Sequence, residues 1–254
     1  MTPAFSTPAL VLHTTPYSET SVVAKFFTRE LGVRSYILKG VRKGSGRTKQ
    51  NLLQPLSYLD TVVYANPKTS LNYVKEIAPH INEKLKIKNE EWGGGGPNSD
   101  DEAVRNAVVF FMTELLYKTL REEEPDEELF DYVVDALQKL REPVSSQHSQ
   151  LPVLFMLRLT RYLGIEPLDN YSQREPRFNL TNGRFQYAGE TMLDADTSQL
   201  LHYYLQAIHN DTPCPLATLK QRITLINSLL DYFQLHLAEF RNFTSHEILH
   251  SVLQ

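Results

Sequence analysis

The chain has 254 residues, 41 % of them hydrophobic and 22 % charged, which is typical of one large or two medium globular domains. Its one cysteine, Cys214, excludes an internal disulfide and a cysteine-rich metal site, and favours a reducing compartment. The formal charge of −4 is uneven, because residues 1–80 carry ten Lys/Arg and four Asp/Glu whereas the remainder carries sixteen and twenty-six. A basic first region favours an anionic ligand, and the acidic remainder favours other partners.

The first 80 residues predict a β-barrel. Five short segments there are rich in β-branched or aromatic residues and are separated by turn signals: 9–13, 21–27, 33–38, 59–64 and 71–77. This count predicts a small Greek-key barrel of the OB type in a domain of residues 1–82, and a five-stranded SH3-like barrel fits nearly as well.

A basic loop follows the third predicted strand and is the main candidate for a nucleic-acid site. No acidic residue interrupts it, and glycines among its cations allow the backbone to approach a phosphate closely. With one supporting residue from the preceding strand, the predicted DNA-binding cations are Arg34, Lys39, Arg42, Lys43, Arg47 and Lys49. A solvated loop without a ligand is the alternative interpretation.

Aromatic side chains on the barrel supply a second candidate feature. OB barrels bind single strands on one face, where a positive groove is combined with aromatic stacking platforms. The candidates here are Tyr36, Tyr58, Tyr64 and Tyr73, and Tyr36, in the strand that leads into the basic loop, is included in the predicted DNA site. Packing in the barrel is the alternative for each of them.

A glycine-rich linker is predicted at residues 83–99, where four consecutive glycines, a proline and small polar residues occur together. We therefore place the domain boundary there and assign residues 100–254 to a helical C-terminal domain. Apolar residues at helical spacing predict helices over 100–122, 126–140, 151–163, 196–208, 217–237 and 245–253. Short loops between these helices predict a compact helical bundle.

One β feature interrupts the predicted helices. Residues 177–187 alternate on both sides of Asn182-Gly183, which is the strongest short signal for a β-hairpin. Two strands alone are marginally stable, so we expect this small hairpin to pack onto the bundle. The fold class is therefore mixed: a five-stranded OB-type barrel followed by an all-α bundle with a hairpin insertion.

The segment His246-Glu247-Ile248-Leu249-His250 matches the zinc-protease motif H-E-x-x-H. The four residues that follow it leave no place for a downstream third ligand, and a catalytic zinc normally has three protein ligands. We interpret the segment as an amphipathic helix that docks through Ile248, Leu249, Val252 and Leu253. The acidic run 122–128 is interpreted as a solvated loop between helices.

Other catalytic motifs are missing from the sequence. It contains no phosphate-binding P-loop, no dinucleotide-binding glycine motif and no serine-hydrolase elbow. We therefore expect that the protein is not an enzyme, with no catalytic residues, no metal and no cofactor. No apolar stretch approaches the roughly 20 residues that a membrane span needs, so we expect a cytoplasmic protein without membrane contact.

Four N-terminal motifs in register resemble the RecO family, the bacterial DNA repair and recombination mediators: PYSE (16–19), FTRELG (27–32), KGVR (39–42) and LQPL (53–56). The resemblance continues in residues 120–125, 155–167 and 232–237, and it covers most of the chain. It implies an N-terminal OB domain, a helical C-terminal domain and a nucleoid-associated role in recombinational repair. The implied activities are binding of single- and double-stranded DNA, single-strand annealing and, with RecR and single-stranded-DNA-binding protein (SSB), loading of RecA.

The resemblance also implies that the acidic C-terminal tail of SSB binds the helical domain. Because that domain is itself acidic, binding requires a local pocket in which a cation pairs with the tail's carboxylate. The candidate cations are Lys118, Arg121, Arg158 and Arg161. Many family members hold zinc with four cysteines in the region matching 168–187, but this segment contains no cysteine, so zinc is not carried over.

Two other functions remain compatible with these residues. An OB-type RNA-binding protein would use the same cations and aromatics, because the 2′-hydroxyl contact that separates RNA from DNA cannot be read from sequence. A non-catalytic interaction scaffold would use the barrel to bind protein instead.

Overall fold

The computed structural model describes residues 4–41, 50–64, 69, 71–80, 99–122, 124–142 and 148–252. The chain forms two compact units, Met1–Gln138 and Lys139–Gln254. The predicted linker lies almost entirely outside the described residues, and the division between the units falls about forty residues later than the predicted boundary. The first unit therefore includes helical segments that the sequence pattern assigned to the second domain.

The first unit contains a closed five-stranded barrel. Its strands run in the order β1-β2-β3-β5-β4 and have these bounds: β1 (Ala4–Pro16), β2 (Val22–Thr28), β3 (Gly32–Leu38), β4 (Tyr58–Tyr64) and β5 (Leu71–Pro79). The long β1 pairs antiparallel with both β2 and β4, and a parallel pair of β3 with β5 completes the closure. This arrangement confirms the prediction of an OB-type barrel.

The interior of the barrel follows from period-two alternation along its strands. Alternate residues point inward and form a core that includes Phe26, Tyr36, Leu59 and Val63. The register of β1 with β2 shifts between Val11 and His13, and such an irregularity bends a strand.

Two helices pack against the barrel: α1 (Ser99–Thr119) and α2 (Glu127–Arg141), of which the last three residues lie beyond the division at Gln138. Phe130 of α2 meets Phe27 of β2 edge to face, with ring centroids 5.3 Å apart. At Gly32, with φ +67°, an added Cβ would clash with the backbone carbonyl of Glu124 in the segment between the helices. These close contacts explain why helices that follow the glycine run belong to the same compact unit as the barrel.

The second unit is helical with one small sheet, as the sequence predicts. Its elements are α3 (Leu151–Tyr162), β6 (Arg177–Asn179), β7 (Arg184–Gln186), α4 (Ala195–His209), α5 (Leu219–His236) and α6 (Ser245–Val252). The Asp194 side chain accepts a hydrogen bond from the Thr197 backbone N–H and starts α4, while Thr218 and Gln221 form a capping box at α5. No helix in the described part of the chain is long and apolar enough to cross a membrane.

The predicted hairpin is confirmed and is supported by α5. Phe178 and Phe185 are direct partners in the two-stranded sheet, and Gly183 adopts φ +64° in its turn. The Phe178 ring lies 5.9 Å from that of Tyr232, and His236 Nε2 lies 2.8 Å from the Leu180 carbonyl oxygen. Packing on a helix therefore provides the stability that two isolated strands lack.

Candidate nucleic-acid interface

A cleft of about 470 Å³ lies where β3 ends and the chain enters the basic loop. Its floor is aliphatic and its rim carries two lysines and two tyrosines. The lining residues are Leu38, Lys39, Val41, Tyr64, Tyr73, Val74, Lys75 and Ile77. An apolar floor with a few polar groups at the rim is the usual composition of a ligand site.

The two tyrosines of the cleft are direct partners on β4 and β5. Because opposite residues of an antiparallel pair project from the same face about 5 Å apart, Tyr64 and Tyr73 lie side by side. Tyr73 is 45 % exposed, and Lys39 Nζ lies 5.0 Å from the centroid of its ring. The rim therefore combines an open aromatic surface with a cation directly above it.

The charge at this end of the barrel is positive. Lys39 is exposed and has no carboxylate within 4.0 Å among the residues that the structure describes. Lys75 is paired with Glu76 at 3.2 Å, so it contributes little net charge. The other predicted cations, Arg42, Lys43, Arg47 and Lys49, lie outside the described residues, and in the sequence they follow Val41, which lines the cleft.

Tyr36 requires a correction. Its side chain is fully buried in the barrel core, 5.6 Å from the ring of Phe26, and burial raises the pKa of its hydroxyl to about 12. The hydroxyl has no hydrogen-bond partner among the described residues. This burial contradicts the prediction that Tyr36 contacts DNA, because an enclosed ring cannot stack on a base.

Two further predicted residues lie away from the cleft. Tyr58 is at the other end of β4, 4.1 Å from the ring of His80 and 6.0 Å from that of Phe130 in α2. Arg34 is partly buried, and its Nε donates a hydrogen bond to the Leu31 carbonyl in the β2–β3 turn at 3.1 Å. Five residues of extended chain, about 16 Å, separate Arg34 from Lys39, so the structure does not bring the two cations together.

The residues that sequence reasoning missed are Lys75 and the aliphatic floor of the cleft, Val74 and Ile77. They reach the end of β3 because β5 pairs in parallel with it, with Ile37 opposite Tyr73. The register of β5 with β4 shifts at Lys75, so simple alternation along the strand does not give the direction of this lysine. Nothing in the local pattern indicated that this part of β5 borders the basic loop.

The four predicted partner-binding cations are divided between the two units. Lys118 lies 3.8 Å from Glu114 within α1, and Arg121 is exposed just beyond that helix. Arg158 of α3 lies 3.8 Å from Asp211, and Arg161 is exposed in the last turn of α3. They therefore form two separate candidate pairs, and their role in partner binding stays a prediction.

The H-E-x-x-H segment forms α6, as interpreted from the sequence. Leu249 is buried, whereas Ile248 is exposed and Val252 is partly buried, so the helix docks mainly through Leu249. The rings of His246 and His250 lie 5.5 Å apart, and burial, together with the neighbouring His246, lowers the pKa of His250. The described residues include no group of three or more potential ligands that could hold a metal.

Comparison with known proteins gives matches in both regions of the chain. Residues 1–80 match the family model described as Recombination protein O N terminal, and residues 101–192 match that described as Recombination protein O C terminal. A DNA repair protein RecO from Azobacteroides pseudotrichonymphae is 25 % identical over 98 % of both chains. Proteins of the same name from Christiangramia forsetii and Porphyromonas gingivalis are 28 % and 29 % identical, over 97 % and 95 % of this chain and 98 % and 96 % of theirs.

Proposed function

Since this chain belongs to the RecO family of DNA repair proteins, we propose that it is a non-catalytic recombination mediator that binds and anneals DNA. In this proposal it acts with RecR to load RecA onto SSB-coated single strands. The observation that supports it best is the cleft at the end of β3, where Lys39, which has no carboxylate partner among the described residues, lies over the exposed ring of Tyr73 and precedes the basic loop in sequence. The charge, the aromatic ring and the open position suit a single strand.

Annealing by such a protein requires no bond chemistry. Two complementary strands repel one another through their phosphates, and cations that neutralise those phosphates reduce the repulsion and raise the local strand concentration. Base pairing then supplies the free energy. Lys39 and the loop cations Arg42, Lys43, Arg47 and Lys49 are the residues to which we assign this neutralisation.

The proposed contact with SSB requires a cation outside the barrel. An acidic tail peptide would pair its carboxylates with an exposed arginine, and charge-assisted pairing is strong enough to act against an unfavourable net charge. Arg161 is the better placed of the α3 pair, because Arg158 already lies near Asp211. In the first unit, Arg121 is the corresponding exposed residue.

The proposal is tested by measuring fluorescence anisotropy with labelled single-stranded DNA, duplex DNA and RNA of equal length across a salt series. We expect both DNA forms to bind, with log affinity falling against log salt by about 0.7 per phosphate neutralised on a single strand and about 0.9 on duplex. Annealing of complementary strands, bare and SSB-coated, is followed in the same samples. Absence of DNA binding at low salt would contradict the proposal, and stronger binding of RNA would favour the RNA-binding alternative.

A further inference from the structure

A buried carboxylate lies in the segment between α3 and the hairpin. The Asp169 side chain is 4 % exposed, and its Oδ1 lies 2.7 Å from Nδ1 of His202 on α4. Its Oδ2 accepts a hydrogen bond from Gln206, one helical turn further along α4, and the Tyr171 ring is stacked on the imidazole with 4.5 Å between centroids. In the described part of the chain no lysine or arginine nitrogen lies within 4.0 Å of this carboxylate. Because a buried carboxylate is unfavourable unless its hydrogen bonds are satisfied, Asp169 depends on His202 and Gln206.

The residues on either side of Asp169 are bonded to the hairpin, and we call residues 168–171 the strap. The Leu168 backbone N–H donates a hydrogen bond of 2.8 Å to the Gly183 carbonyl in the hairpin turn. The Asn170 side chain donates to the Phe185 carbonyl at 3.0 Å and accepts from the Phe185 backbone N–H at 2.9 Å. The strap therefore joins two elements, because its outer residues bond to the hairpin and Asp169 bonds to α4.

The family resemblance implies zinc in many members at the region that matches residues 168–187, and the donors of this chain do not fit such a site. A structural zinc normally has four ligands, chiefly cysteine and histidine. Residues 168–187 contain neither cysteine nor histidine, and both oxygens of Asp169 already bond to side chains of α4. Among the residues that the structure describes, no group of three or more potential ligands could hold a metal.

We infer that Asp169, His202 and Gln206 form a clamp that holds the strap on α4 and thereby fixes the hairpin without a metal. The two α4 side chains lie one turn apart on a regular helix, so they set the position of the carboxylate between them. When the carboxylate is lost, the strap is released from α4. The hairpin then opens locally, because two strands alone are marginally stable.

The barrel contains the same three side-chain types in an open setting, which provides a matched control. Asp60 Oδ1 lies 2.7 Å from His80 Nδ1, and the Tyr58 ring lies 4.1 Å from the His80 ring. The Asp60 side chain is 55 % exposed, however. Since water solvates an exposed carboxylate and its partner, this second pair should contribute little to the stability of its surroundings.

The clamp is tested by amide hydrogen exchange, followed by mass spectrometry, on the full-length protein and its variants. Asp169→Asn removes the charge and the second acceptor oxygen, and it should speed exchange of the amides in residues 177–187 by about 10- to 100-fold, the range expected for hydrogen bonds to a charged group. Exchange of the barrel amides should stay as in the wild type. Asp60→Asn should leave exchange of the hairpin unchanged.

A milder variant keeps the test decisive if Asp169→Asn fails to fold. Gln206→Ala removes one hydrogen bond and keeps the ion pair, so it should speed hairpin exchange by a smaller factor than Asp169→Asn. Hairpin exchange as slow as in the wild type in Gln206→Ala and in any folded Asp169→Asn would overturn the inference. Equal acceleration in the barrel and the hairpin would also overturn it, since the effect would then be global destabilisation.

Two changes at His202 separate its hydrogen bond from its packing. His202→Asn keeps a side-chain N–H near the position of Nδ1, so it should speed hairpin exchange less than His202→Ala does. Equal acceleration by both variants would contradict a role for the hydrogen bond in the clamp.

A final arm tests whether the clamp works without metal. Elemental analysis of the wild-type protein should find no stoichiometric zinc, and treatment with EDTA should leave both hairpin exchange and the melting temperature unchanged. One zinc per chain whose removal speeds hairpin exchange would overturn the inference, because a metal would then hold the strap.

Discussion

Two lysines of the barrel lie over tyrosine rings at nearly the same distance, and their surroundings differ. Lys25 Nζ is 5.1 Å from the ring centroid of Tyr117, and Lys39 Nζ is 5.0 Å from that of Tyr73. Glu122 lies 2.9 Å from Lys25 and neutralises it, whereas Lys39 has no carboxylate within 4.0 Å among the described residues. A lysine over a tyrosine therefore has two roles in the barrel. Lys25 holds α1 through Tyr117, whereas Lys39 keeps its positive charge available for a ligand.

The difference extends to the whole helix-covered side of the barrel. Arg29 of the β2–β3 turn lies 2.5 Å from Glu127 and makes two hydrogen bonds of 2.9 Å to Asp131 of α2. Part of the acidic run 122–128, which we interpreted as a solvated loop, thus pairs with barrel cations. The net positive charge of residues 1–80 overstates the electrostatic field of the barrel, because Glu122, Glu127 and Asp131 neutralise cations on this side.

The largest effect is expected from reversing the charge of the basic loop, and the matching change is a charge reversal on the helix-covered side of the barrel. Replacing Arg42, Lys43, Arg47 and Lys49 together by Glu should reduce DNA binding and annealing below detection, because the loop cations neutralise the phosphates. The melting temperature should stay close to that of the wild type, since we expect the charged residues of this segment to contribute little to a core.

The corresponding change on the covered side is the control. Lys25→Glu with Arg29→Glu should lower the melting temperature, because it places like charges opposite Glu122 and Asp131, and DNA affinity per folded molecule should change little. The outcome that would contradict this prediction is wild-type DNA affinity in the fourfold loop variant together with lost affinity in the Lys25→Glu, Arg29→Glu variant. DNA would then bind the helix-covered side of the barrel and not the basic loop.

Two glycines with positive φ provide a second matched pair. Gly32 has φ +67° and faces the Glu124 carbonyl, with Pro125 N 2.9 Å from the position of an added Cβ, whereas Gly40 has φ +73° and open space around it. Gly32→Ala should lower the free energy of unfolding by more than about 3 kcal/mol, because backbone must move. Gly40→Ala should cost only about 1 to 2 kcal/mol, the intrinsic penalty of a left-handed conformation. Chemical denaturation measures both, and equal losses would show that the Gly32 contact is unimportant.

A smaller effect on stability is expected when the Asp131 carboxylate, on the helix-covered side of the barrel, is protonated in acid. Hydrogen bonds from Arg29 lower the pKa of Asp131 below its ordinary value of about 3.9. The contribution of this carboxylate is therefore fully present above that pH, and it is lost as the pH falls through the lowered pKa. Asp131→Asn should reduce stability slightly at neutral pH, and this difference from wild type should vanish in strong acid. A difference that persists below the lowered pKa would assign the effect to packing instead.

The smallest effect is expected at Tyr36. Its buried hydroxyl has no hydrogen-bond partner among the described residues, and desolvating such a group without compensation is unfavourable. Tyr36→Phe should leave the free energy of unfolding unchanged or raise it by up to about 1 kcal/mol, with no change in DNA affinity. A loss of DNA affinity at constant stability would restore Tyr36 to the binding site.

Much of this molecule was determined locally by the sequence. The five strands and the six helices begin and end within a few residues of their predicted positions, apart from β1, which is longer at both ends, because alternation, helical spacing and turn residues act over short distances. The Asn182-Gly183 turn is the clearest case, since Gly183 adopts the positive φ that this turn requires. The RecO motifs likewise lie in short segments that are readable without a structure.

Only the tertiary structure decided which tyrosine is buried and which is available to a ligand. Tyr36 of β3 lies opposite Asn72 of β5, the residue before Tyr73, so the two rings are on opposite faces: Tyr36 points into the barrel and Tyr73 points outward. Which side of a strand becomes the interior depends on how the sheet closes, and that depends on pairings such as β3 with β5, about 35 residues apart. The same long-range packing brings the acidic helices onto Lys25 and Arg29 and leaves Lys39 open. Neither outcome can be read from local pattern, because the contacts that decide it join segments far apart in the chain.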